Sequence, residues 1–179
     1  VAGLAPPVPY WWQVGDTGNA ALLNAQLFTG LTYLLNPPLA WLYQTASQSV
    51  ASSSTWTPIL LDTSGIDTYG GHSTTSNTSR YVCQQAGIYQ CGGSITWAAN
   101  ATGYRAARIA HNGSAVQGSE VYLPGGSVSG QTTVVVTVPV ALAVGDYIEI
   151  HGWQSSGGAL STIANAEVAA SLNIEAIHL

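Results

Sequence analysis

From Leu39 onward the apolar residues recur with a period of two, and that pattern confines the body of this chain to strands. Trp41, Tyr43 and Thr45 alternate with Ala40, Leu42 and Gln44. Further strand-like runs follow at WTPILLD, YVCQ, GIYQCGGSITWAA, YRAARIAH, SAVQGSEVYLP, TTVVVTVPVAL, YIEIHGWQSS and VAASLNIEAIHL. Turn-forming stretches separate them: SQSVASSST, NATG, GGSVSG and AVGD, with a long Gly/Ser/Thr loop over 62–79. Asn112-Gly113 is the strongest hairpin signal, because both residues accept the left-handed backbone that a two-residue turn demands. Eight to ten strands, spaced by roughly 8 to 14 residues with no helix between them, predict a sandwich or jelly roll.

The first 38 residues read differently. Residues 1–16 are rich in proline and aromatics and predict an extended arm. Tyr10, Trp11 and Trp12 are too apolar to remain in water, so the arm is expected to lay them against its own domain or a partner. Over 17–36, Leu23, Leu27, Leu31 and Leu34 form a stripe at helical spacing, with Thr17 or Asn19 as the cap. Gly30 weakens this helix by about 1 kcal/mol relative to alanine, and Asn36-Pro37-Pro38 ends it. A short amphipathic helix needs a surface to cover, either its own copies around a symmetry axis or the base of the strand domain. Residues 37–179 form that domain.

Charge narrows the function. The chain has no lysine, three arginines and eight acidic residues, for a net charge of −5. No basic patch can be drawn from Arg80, Arg105 and Arg108, which argues against a nucleic-acid partner and against an anionic membrane surface. The apolar run over 134–144 is too short to span a bilayer and contains Pro139. The first residues lack the basic region of a signal peptide. With 6% charged residues, the chain suits a protein docked in an assembly better than a free monomer.

Chemistry-bearing residues are sparse. Cys83 and Cys91 are either two core thiols or a disulfide stapling neighbouring strand ends; no second pair exists for a metal site. His72, His111, His151 and His178 have no nucleophile elbow to serve, so no catalytic residue and no cofactor is expected. His111 and His151 read as histidines bonded to a neighbour. His151 and His178 supply only two metal ligands even if their strands pair. Glu149 and Glu175 alternate with apolar residues and are expected to face solvent. Arg105 and Arg108 fall on opposite faces of one strand, where one of them can pair with an acid across the sheet. Trp41, Trp56, Trp97 and Trp153 read as core residues or as an intersubunit stack. Tyr69, His72 and Asn77 in the long loop are the candidate ligand-binding residues, with a surface glycan as the candidate ligand.

Four features carry a resemblance: Ala86-Gly87-Ile88-Tyr89 opening the GIYQCGGSITW strand, the Asn112-Gly113 hairpin, Gly145-Asp146-Tyr147 before an alternating strand, and the closing SLNIEAIHL. In these the chain resembles the globular head domain shared by complement collagen-like proteins and tumour necrosis factor (TNF) ligands. It is most similar to the versions found in tailed-bacteriophage structural proteins, where a helix like that of 22–38 runs into Pro-Pro ahead of the head. The resemblance implies a TNF-like jelly roll of ten strands that assembles as a homotrimer, with aromatic and aliphatic side chains meeting at the axis. It further implies a place on the virion surface, as a head fibre, decoration or minor tail protein contacting other virion proteins and in some cases a host glycan or receptor. Tyr10, Trp11, Trp12 and the leucine stripe would then serve attachment or oligomerisation. Members that bind calcium do so through acidic loops. Here Asp62, Asp67 and Asp146 are scattered, so no metal is expected.

Overall fold

The structure, a computed structural model, describes residues 10–52, 55–127 and 130–178. Asn19 caps the first helix through Oδ1, which accepts from the Leu22 N–H at 2.9 Å. Helix α1 (Ala20–Leu23) passes through a π-helical turn (Asn24–Phe28) into α2 (Thr29–Leu35). The described part of the arm, residues 10–16, contains a turn at Val14-Gly15. The Asp16 carboxylate accepts from the Gln13 N–H at 2.6 Å and the Tyr10 hydroxyl at 3.1 Å, and Gly15 sits at φ +98°. The Tyr10 N–H donates to Gln26 Oε1 at 3.0 Å, tying this turn back to the helix. Residues 1–9 of the expected arm lie outside the described residues.

Thirteen strands follow among the described residues, nine of them three residues or longer. They are β1 (Leu39–Tyr43), β2 (Ser49–Val50), β3 (Thr57–Pro58), β4 (Thr63–Asp67), β5 (Arg80–Val82), β6 (Gly87–Trp97) and β7 (Tyr104–His111). The remainder are β8 (Ser114–Ala115), β9 (Val121–Pro124), β10 (Thr132–Leu142), β11 (Tyr147–Gln154), β12 (Leu160–Ser161) and β13 (Ser171–His178). One sheet has the order β10-β6-β13-β1-β4 and a second β3-β11-β7-β8, with β5 also on β11 and β9 also on β7, while β12 and β2 form a separate two-stranded sheet. The long pairings are antiparallel, and the C-terminal β13 is a central strand between β6 and β1. This is the all-β jelly-roll sandwich expected.

The alternation that marks these strands sorts their side chains. On β10, Val134, Val136, Val140 and Leu142 enter the core while Thr133, Val135 and Thr137 face out. Pro139 is tolerated because β10 is an edge strand. Trp97 is wholly buried at the centre, and Gly152 opposite makes room for it: a Cβ there would lie 2.9 Å from the indole ring. The Asn112-Gly113 turn forms as expected, with φ +50° and +80°. Asp146 locks it to the neighbouring turn, accepting from Asn112 Nδ2 and the Ala143 N–H, each at 2.8 Å. Those bonds, together with His111 Nε2 at 3.1 Å, hold its carboxyl down at about 2.

One expectation about polar residues is overturned here, and one open alternative is resolved. Glu149 does not face solvent; it is 3% exposed, because β5 pairs alongside β11 with Arg80 opposite it, and Ser79, Arg80 and His151 close on its carboxylate. Cys83 and Cys91 are free, buried thiols rather than a disulfide. Burial pushes the Cys91 thiol up to about 12 and the Cys83 thiol up as well. A thiol reagent at pH 8 is therefore expected to label neither cysteine in the native protein and both after denaturation; loss of reactivity in the denatured, unreduced chain would mean they are joined.

Candidate functional site: an exposed sheet face and its cavities

The outer face of the β10-β6-β13-β1-β4 sheet is built in rows. One row reads Val135, Ser94, Ser171 and Tyr43; the next reads Thr137, Gly92, Asn173, Trp41 and Ile66. Small residues in the middle strands and large ones at either side leave a shallow channel. Trp41 and Tyr43 stack with ring centroids 4.9 Å apart, and the Trp41 indole lies on Gly65, where a Cβ would be 2.4 Å from the ring. Trp41, Ile66 and Val135 are 45%, 41% and 62% exposed. A groove of about 840 Å³ runs beside Trp41 and Tyr43 to Thr133 and the 165–169 loop, and a second of about 430 Å³ lies between Val135 and Glu175. Glu175 faces out as expected.

The expected attachment residues remain uncovered. Leu23, Leu27, Leu31 and Leu34 are 42%, 56%, 56% and 74% exposed, so the stripe does not pack on the strand domain within one chain. Trp11 is 85% exposed, whereas Tyr10 and Trp12 meet edge to face at 5.3 Å.

The loop residues separate. Tyr69 is buried, so it presents nothing to a ligand, in contrast to the sequence expectation. His72 is fixed at both nitrogens: Nε2 lies 3.1 Å from the Thr78 carbonyl, which can only accept, and Nδ1 lies 2.7 Å from Ser64 Oγ. That serine–histidine contact has no carboxylate to orient it, and it braces the loop. Asn77 is exposed at φ +48°. His72 and Asn77 do share a cavity of about 490 Å³, which also contains Arg80, a residue that the sequence pattern alone does not connect with a ligand. Its position directly after the polar loop is the available signal.

The remaining histidines and arginines are tied into the scaffold. His151 Nε2 donates to Glu149 Oε2 at 3.1 Å, and His111 bonds Asp146, as expected of histidines with a partnered neighbour. The strands of His151 and His178 belong to different sheets and do not pair. No cluster of three metal-ligating residues occurs among the described residues. Arg105 is wholly buried and donates to the carbonyls of Asn100, Thr102 and Tyr104, while Arg108 pairs with Glu120 at 3.0 Å. Trp56, Tyr122 and Trp153 form a second aromatic cluster, with the Arg108 guanidinium 4.3 Å from the Trp56 ring.

No family profile and no curated protein matches this sequence. Solved structures do match in shape. The chain is similar to the globular domain of zebrafish complement 1qA protein, with 15% identity and a TM-score of 0.54, covering 78% of this chain and 97% of that one. It is similar to murine APRIL, with 10% identity, a TM-score of 0.57, and coverage of 77% and 98%. Eiger TNF from S. frugiperda matches with 10% identity, a TM-score of 0.55, and coverage of 77% and 91%. The strand domain therefore has the TNF/complement-1q jelly-roll fold.

Proposed function

We propose that this chain is a non-catalytic structural module that assembles as a homotrimer through the outer face of its five-stranded sheet. The carrying observation is that face, where Trp41, Ile66 and Val135 stand exposed around a channel of glycine, serine and threonine. Apolar groups of this size on a nearly uncharged surface favour a protein partner over water. The resemblance set out above supplies the number three. It also supports a place on a bacteriophage virion surface, as a head fibre, decoration or minor tail protein, with the exposed leucines and Trp11 of the preceding segment docking to other virion proteins. The low charge of the chain fits a life within such an assembly.

Two substitutions test the interface. Trp41→Glu and Val135→Glu each place a carboxylate on the face without touching the core, and each is expected to lower the solution mass from three times 18.5 kDa to 18.5 kDa. A trimer that survives both changes would remove this face from the interface.

A further inference from the structure

The cavity between the 70–77 loop and the start of β11 has a chemistry found nowhere else on the described surface. In a lysine-free chain, two of the three arginines are already committed: Arg105 to backbone carbonyls and Arg108 to Glu120. Arg80 is different. Its Nε donates to Glu149 Oε1 at 3.0 Å, and its guanidinium carbon sits 4.0 Å from the centre of the Tyr147 ring. These two contacts fix the plane of the group, while neither Nη has a hydrogen-bond partner among the described residues. Glu149 also accepts from Ser79 and His151, and it meets Arg80 at Nε.

Around Arg80 the wall is polar and free of acid. Ser73, Ser76, Asn77 and Gln84 line the cavity, and no aspartate or glutamate does, although the chain carries eight. Gln84 Nε2 is used by the Val82 carbonyl at 3.1 Å, leaving its Oε1 as an acceptor. Ser73 Oγ is the hub of the loop, 3.3 Å from both Thr75 Oγ1 and Ser76 Oγ. The volume of about 490 Å³ suits a ligand of one or two sugar rings. A preset guanidinium fork selects a planar carboxylate, and the surrounding hydroxyls and amides select a polyol.

We propose that this cavity binds the carboxylate of an acidic sugar, with Arg80 as the anchor and Ser73, Ser76, Asn77 and Gln84 contacting ring hydroxyls. The site does not depend on the trimer interface, which lies on the other sheet.

The test is calorimetric titration of the full chain with methyl β-glucuronide, with its neutral counterpart methyl β-glucoside, and with acetate. The glucuronide is expected to bind saturably, and about tenfold or more tighter than either control. Asn77→Asp adds a negative charge at an exposed, left-handed position that aspartate tolerates. It is expected to weaken glucuronide binding about tenfold while leaving the melting temperature and the solution mass unchanged. No saturable binding would overturn the proposal. So would equal binding of the glucoside, which denies the role of charge, or equal binding of acetate, which denies the sugar. Undiminished binding by the Asn77→Asp protein would place the ligand elsewhere.

Discussion

Replacing Glu149 with alanine is expected to destabilise the fold by about 3 to 5 kcal/mol, because it strands three buried or half-buried partners at once. The Glu149 carboxylate accepts from Ser79 Oγ at 2.7 Å, Arg80 Nε at 3.0 Å and His151 Nε2 at 3.1 Å. Burial alone would raise its pKa, but these bonds, led by that from His151, outweigh burial and bring it from 4.5 to about 2. A folded-state pKa below the unfolded value means that the bonded carboxylate stabilises the protein fully above about pH 4.5. That contribution, about 3 kcal/mol, fades as pH falls toward 2. Thermal melts across this range should show a falling limb in the wild type, corresponding to a drop on the order of 10 °C. Glu149→Gln should melt lower at pH 7 and show a shallower limb, the remainder belonging to Asp146 and Asp62, whose carboxyls the fold also holds down. An unchanged acid profile in the variant would show that other carboxylates carry the acid sensitivity.

Gly93→Ala is expected to be nearly as damaging. Gly93 lies on β6 where it pairs with β13, and a Cβ there would sit 2.2 Å from the Ser171 carbonyl oxygen and 3.0 Å from Ile150 Cδ1. The first contact is with backbone, which cannot swing aside, so the central strands must separate. Overpacking of this kind costs about 3 kcal/mol, or a melting temperature lower by about 6 to 12 °C. Gly158→Ala is the control: a Cβ there would meet nothing within 4 Å and the backbone φ is ordinary, so stability should change by less than about 0.5 kcal/mol. Equal melting of the two variants would mean that β6 and β13 are not packed as closely as described.

Local signals in the sequence were followed where tertiary contacts reinforced them. The Asn112-Gly113 hairpin and the β10 alternation formed as read, since turn chemistry and period two act within a few residues. The helix also formed, but its π-helical turn at Asn24–Phe28 left no trace in the leucine spacing. Strand β4 was hidden inside a Gly/Ser/Thr stretch because it exists by pairing with β1, not by propensity. Glu149 shows the same limit in another form. Alternation correctly turned its side chain away from the core, yet it could not reveal that a residue 69 positions earlier would pair beside it and bond its carboxylate. The ligand loop was half legible for this reason: Asn77 lies at the surface, Tyr69 is buried, and Arg80 lines the cavity, held by Glu149 and the Tyr147 ring from a distant strand.

The measurement that bears most directly on the assembly reading is the solution mass of the full chain by light scattering, repeated on residues 38–179. Three times 18.5 kDa for the full chain, with the shorter chain also trimeric, is the predicted result, leaving the helix and Trp11 free to dock elsewhere. A full chain of 18.5 kDa would contradict the account, because the exposed face of the five-stranded sheet would then have no copy of itself to cover it.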